Sequence, residues 1–167
     1  MGWFCKADQY LGAIMAAEHS FTATAPDNTR VRAAMAAFAA NPTADERVHL
    51  LYTMLEEHFV VLIPMREEPD GTMAFTTTVE GDPHPILHVY TSMDELPPLD
   101  HGVEVYLLPY ADLLMDMLQG EQRWNGLIID ADAAHSVTAY FTDTGEHALY
   151  STAALRAAVD GVDPELN

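Results

Sequence analysis

Positive charge is what this chain has least of. Seven basic side chains face 26 acidic ones, only Lys6 is a lysine, and the net charge is −19 over 167 residues. Such a surface repels phosphate backbones and anionic headgroups, so nucleic acid and membrane surfaces are excluded as expected partners, and a basic protein is the partner class left open. Cysteine is nearly as scarce. With Cys5 alone, no internal disulfide can form and no zinc site built on several thiolates is possible. Long apolar runs are missing too: Leu11–Ala17 is short, carries Gly12 and is followed by Glu18 and His19, so neither a membrane span nor a secretory signal is read there. A cytoplasmic setting is the expectation.

What remains is ordinary for a folded chain. Apolar residues make up 49% and charged ones 20%, which fits one domain able to bury a single core. Trp3, Leu11, Ile14 and Met15 suggest a first helix within 3–19, and Ala25-Pro26-Asp27-Asn28 is rich in breakers. Residues 1–28 are therefore expected to be a helix and loop, peripheral to a domain over 29–160, with 161–167 fraying. The alanine-rich run from Thr29 to Ala40 predicts a helix with Val31, Met35 and Phe38 on one side. After Asn41-Pro42, Thr43 and Glu46 form a capping box for a helix to Phe59, whose Val48, Leu51, Leu55 and Phe59 predict a sheet-facing stripe.

Strands then dominate. Phe59–Pro64 is a continuous apolar run suited to a strand covered on both faces, and Met73–Val79 alternates as a partly exposed one. Ile86–Tyr90 runs directly into Ser92 and Glu95, a second capping box starting a short helix to Leu96. Val103–Leu108 predicts another strand, followed by a helix with Leu113, Leu114, Met117 and Leu118 as its apolar side and Gly120 as its stop. Gly126–Asp130 reads as a buried strand, and Val137–Thr142 with Glu146–Tyr150 as a hairpin around Asp143-Thr144-Gly145. Ser151 caps a last helix to Val159. Helices first, then strands interleaved with short helices, predict an α+β fold with a mixed sheet of about five to six strands in one compact domain.

Chemistry-bearing groupings are few. His84 and His88 sit four apart, so they share a face of any strand, but Pro83 and Pro85 place the first in a loop. Asp130, Asp132 and His135 look oxygen-rich, yet the segment lacks the glycine and closing glutamate of a calcium loop and reads as an exposed polar loop. Ser92 is explained by its capping partner Glu95, there is no Gly-x-Ser-x-Gly elbow, and Glu56-Glu57-His58 lacks the His-Glu-x-x-His spacing. No catalytic, cofactor-binding or metal-ligating residue is assigned, and no cofactor is expected. The residues suited to a protein interface are Tyr106, Tyr110 and Trp124, which would be rimmed by Asp112, Asp116 and Glu121 if they reach the surface.

Four segments carry a family resemblance. The helix Ala44–Phe59 with Val60–Pro64, the junction Val89-Tyr-Thr-Ser-Met-Asp-Glu-Leu96, the leucine-rich Leu108–Leu118 and Gly126-Leu-Ile-Ile-Asp130 resemble, in order, the N-terminal domain of the bacterial SseB family of enhanced serine sensitivity. The likeness spans about residues 30–130; Tyr90 stands where that family usually has Phe, and Asp130-Ala131 where it has Asn-Pro. The resemblance implies a compact α+β domain with no established catalytic role, and it transfers no active-site residue. The leading expectation is thus a non-catalytic module, not an enzyme, acting through protein contacts. An acidic immunity-type inhibitor of a basic toxin is the first alternative, and a hydrolase with an unrecognised site the second.

Overall fold

The computed structural model describes residues 3–7, 26–78, 86–119, 125–141 and 147–159. Among the described residues, four helices and eight strands follow one another as β1 (Trp3–Ala7), α1 (Thr29–Ala40), α2 (Ala44–Glu56), β2 (Val60–Glu67), β3 (Met73–Thr78), β4 (Ile86–Val89), β5 (Val103–Pro109), α3 (Tyr110–Gln119), β6 (Gly126–Ile129), β7 (Val137–Phe141), β8 (His147–Ser151) and α4 (Thr152–Val159). The strands form one mixed sheet in the order β5-β2-β3-β4-β6-β7-β8, with β1 joined to β3. Every pairing is antiparallel except β4 with β6, which run parallel with Leu87 beside Leu127 and Val89 beside Ile129. The fold is α+β, as its order of elements predicts, with more strands than expected.

The added strand lies at the beginning. Residues 3–7 pair with β3, Trp3 opposite Thr77 and Ala7 opposite Met73, so the helix predicted over 3–19 does not form in its first part, and its remainder lies outside the described residues. Backbone pairing with an available sheet edge overrides a weak helical period that already contained Gly12. Among the described residues no helix is long and apolar enough to cross a membrane.

Period-two alternation divides the apolar side chains between the two faces of the sheet. Val61, Ile63 and Met65 of β2 join Phe75, Leu87, Val89, Leu127, Ile129 and Leu149 under Val31, Met35 and Phe38 of α1 and Leu50 and Met54 of α2. The other face of the parallel pair buries Ile86 and Ile128 with Ala131. Continuous apolar strands are thus covered on both sides, as the run before Pro64 predicts.

The α2 stripe is corrected by the structure. Thr43 caps the helix as expected, its Oγ1 accepting from the Glu46 amide at 3.3 Å. The inward residues, however, are Leu50, Thr53 and Met54, while Val48 and Leu55 are exposed and Leu51 is half-buried. The helix carries two apolar sides, and at about 100° per residue the weaker set, Leu50 and Met54, turns inward. The core contacts with α1 choose between them, and periodicity alone does not.

Asn28 closes this part of the fold, although its neighbours read as a loop. Its side chain is buried and donates from Nδ2 to the carbonyls of Val60 at 2.8 Å and Thr91 at 2.7 Å, while Oδ1 accepts from the Val60 amide at 3.3 Å. One amide thereby ties the start of α1 to β2 and to the end of β4. Asn28→Ala leaves buried backbone groups unpaired and should cost about 2–3 kcal/mol, read as a lower urea midpoint. A midpoint unchanged from wild type would show that these bonds are replaced by water.

Candidate functional site: the carboxyl ends of the parallel strands and the outer face of α2

The carboxyl ends of neighbouring parallel strands, where chains diverge, are favoured ligand positions in open sheets. Here they bring together Thr91 and Ser92 after β4, and Asp130 after β6. The Asp130 amide donates to the Val89 carbonyl at 3.0 Å, extending the parallel ladder by one bond. Its backbone then turns into the left-handed region at φ 52°, which Asp tolerates better than most residues. A tight turn follows, closed by the Ala133 amide on the Asp130 carbonyl at 2.9 Å. It forms without the proline seen in the resembling family.

That turn aims the Asp130 carboxylate inward. Its side chain has no accessible surface. Oδ1 accepts from the Thr91 amide at 2.8 Å and Oδ2 from the Thr91 hydroxyl at 2.6 Å, with His135 Nε2 2.9 Å from Oδ2. A carboxylate only accepts, so Nε2 carries the hydrogen of that contact. Burial of such a group is tolerable only because donors surround it. The expectation of an exposed polar loop over 130–135 is therefore wrong for its first residue; Asp132 alone of the two carboxylates faces solvent. The pattern of residue types could not show which of two acidic side chains a single left-handed residue would bury.

Glu95 completes the cluster from the other loop. Residues Met93–Glu95 form only one 3₁₀ turn, Ser92 makes no capping bond, and Glu95 turns instead to Arg32 of α1, whose Nη2 lies 2.6 Å from Oε1. The predicted second capping box is thus broken by a stronger charged partner. Glu95 Oε1 is 3.8 Å from His135 Nε2, and one ligand atom from each of Glu95, Asp130 and His135 falls within 4.8 Å of the others. His135 and Glu95 keep 19% and 21% of their side-chain surface, so the cluster opens to solvent on their side. Among the described residues, Ser92 Oγ and Arg32 Nε are buried without a hydrogen-bond partner.

A hydroxyl cluster buttresses the same end of the sheet. Ser136 Oγ donates to the Ile129 carbonyl at 3.0 Å and lies 2.8 Å from Thr152 Oγ1, and Thr152 also meets Thr138 Oγ1 at 2.9 Å. Ser151 caps α4 as predicted, accepting from the Ala154 amide at 3.4 Å. His88, on β4, is not part of the acidic cluster, and His84 lies outside the described residues. Burial holds the His88 imidazole below its ordinary value, offset by Asp132 and reinforced by Arg156. Burial, with Asp132 and Asp130 adding to it, pushes the Tyr90 phenol up to about 12.

Of the residues that the sequence suggests for an aromatic interface, Tyr110 does not reach the surface. Tyr110 is buried completely, its ring 5.1 Å from Phe59, and burial raises its phenol well above the usual range. It opens α3 by donating its amide to the Phe59 carbonyl at 2.7 Å, which locks it into the core and removes it from any surface patch. Tyr106 is half-buried and its hydroxyl donates to Glu104 at 3.1 Å, and Asp112 is exposed. Asp116 lies on α3 with its side chain outside the described residues, as are Glu121 and Trp124 entirely.

A further apolar surface lies on α2. Val48, Tyr52 and Leu55 are 51%, 60% and 49% exposed on α2, spaced four and three residues apart and so stacked on one stripe facing away from the core. Asp45, His49 and Glu56 are exposed alongside. Arg47 is held over the Phe38 and Tyr150 rings, 6.0 Å and 5.5 Å from their centroids. Sequence reasoning had marked two of these residues but placed them inside.

Together these features define an α+β domain whose mixed sheet is covered by helices on its core face and closed at the ends of its parallel pair by a buried acidic latch. The chain belongs to the SseB family: the family model described as the SseB protein N-terminal domain matches residues 31–140. The match includes most of α1, all of α2, the latch and most of β7, and leaves β1, β8 and α4 outside. No curated protein and no solved structure matches the chain.

Proposed function

We propose that this chain is a non-catalytic binding or regulatory module that acts through protein–protein contacts made by the outer face of α2. The observation that carries this reading is the Val48–Tyr52–Leu55 stripe, three large apolar side chains held about half in water by a helix whose opposite side is already packed. Burying the exposed half of each would stabilise a complex by about 1 kcal/mol per residue before ordering costs. An aromatic residue at the centre of such a stripe is the usual anchor of a contact. The net charge of −19 opposes self-association and favours a partner with a basic rim.

Affinity capture from native extract tests this, comparing the wild type with the triple variant Val48→Asp, Tyr52→Asp, Leu55→Asp. The variant should keep its far-ultraviolet circular dichroism and urea midpoint within about 1 kcal/mol, because surface changes rarely cost more, and lose the captured partner. Partner capture undiminished in a folded variant would refute the assignment of this face. The acid-rich composition favours one narrower reading, an immunity-type inhibitor of a cationic toxin. Capture of a toxin, abolished at high salt, would select that reading, because steering by surface charge is screened over about 8–10 Å near physiological salt.

A further inference from the structure

The geometry points to a divalent-metal site, of the zinc class, formed by Glu95, Asp130 and His135. The three residues come from two loops that meet only because β4 and β6 are parallel neighbours, and each offers one donor atom within 4.8 Å of the others. Around zinc, with bonds of about 2.0–2.2 Å, tetrahedral ligand atoms lie about 3.3–3.6 Å apart. The observed separations, 2.9 Å from His135 Nε2 to Asp130 Oδ2 and 3.8 Å to Glu95 Oε1, bracket that edge. Small side-chain rotations would equalise them.

Several features beyond the donor set favour a bound cation. The ligand set is one imidazole and two carboxylates, with the 19% and 21% exposure of His135 and Glu95 leaving an open side for solvent or a fourth ligand. Each carboxylate is held by hydrogen bonds, Asp130 by the amide and hydroxyl of Thr91 and Glu95 by Arg32, as ligating carboxylates usually are. At the same junction the buried Ser92 Oγ, which can accept as well as donate, has no partner among the described residues. Asp130 also holds a left-handed backbone conformation, a cost of the kind found at ligand clamps. Binding would replace the Nε2 hydrogen, now directed at Asp130, with the metal bond, and the neutral ring would carry its hydrogen on Nδ1 instead.

The competing account is a self-sufficient latch in which His135 serves only to satisfy Asp130 and Arg32 only to neutralise Glu95. The two are separated by titrating chelator-treated, untagged full-length protein with zinc sulfate at high salt, which suppresses loose binding to the acidic surface. A single zinc per chain is expected by calorimetry, with cobalt as a second probe giving visible absorption. His135→Ala and Glu95→Gln should each weaken binding by at least about tenfold, whereas the exposed His101→Ala should not. The wild type should also rise in melting temperature with zinc, and the His135 variant should not. Absence of stoichiometric zinc binding by the folded wild type, or binding that survives both variants, overturns the site and leaves the latch. This outcome is independent of the α2 contact face.

Discussion

Gly126→Ala is expected to leave little or no folded protein. A methyl group at this position would overlap the Ala139 carbonyl oxygen, with the Ala139 carbonyl carbon and Tyr140 Cα only 3.1 and 3.2 Å away, all of them backbone of the paired strand β7. Side chains could move aside, but a ladder cannot open without losing its bonds from Gly126–Tyr140 to Ile129–Val137. The cost should exceed about 4 kcal/mol, a large part of the whole stability of a domain this size. Gly71→Ala supplies the contrast: this turn glycine has φ at 79° but nothing within 4 Å of an added methyl, so only about 1 kcal/mol should be lost. Urea midpoints of the two variants measure the difference. Near-equal midpoints would show that β6 and β7 do not approach as described.

Asp130→Ala is the second large effect, with an expected loss of about 3–5 kcal/mol. Two buried donors on Thr91 would be left without an acceptor, each costing about 1–3 kcal/mol. Alanine at φ 52° adds backbone strain that aspartate bears better. Three substitutions separate these terms. Asp130→Gly removes the acceptors but relaxes the backbone, and Asp130→Asn keeps an acceptor for the Thr91 amide and tolerates the left-handed turn. Stability should therefore fall in the order Asn, Gly, Ala, read from denaturant midpoints. An alanine variant within about 1 kcal/mol of wild type would mean that the carboxylate is hydrated rather than buried.

Much of the architecture was legible because apolar continuity and breaker residues are local signals. Val61–Pro64 and Gly126–Ile129 are buried on both faces as their unbroken runs require, and Thr43 and Ser151 cap the helices their positions announce. Less legible was anything that depended on a distant partner. Trp3–Ala7 carries a weak helical period, and only the open edge of β3 makes it a strand. Val48 and Leu55 match a core period as well as Leu50 and Met54 do, and contact with α1 decides which pair is covered.

The acidic latch shows the same limit in sharper form. Ser92 and Glu95 have the spacing of a capping box, but Arg32, far away in sequence, offers Glu95 a charged bond that the helix start cannot match. Asp130 was singled out with Asp132 and His135 from residue type alone, and its burial depended on one positive φ that no periodicity reports. Asn28 gave no signal beyond a breaker residue before a helix, and it links three segments. The resemblance to the SseB N-terminal domain did survive these corrections, because it rests on the order of strand-to-helix junctions rather than on which side of a helix faces inward.

The most direct test of the contact-face account is hydrogen exchange of the chain bound to its captured partner, compared with the free chain. Slowed exchange confined to residues 44–57 and their immediate neighbours is the predicted footprint, with no change along 86–91 and 126–130, already protected in the free protein. Protection elsewhere, with the backbone of α2 exchanging as fast in the complex as alone, would contradict it.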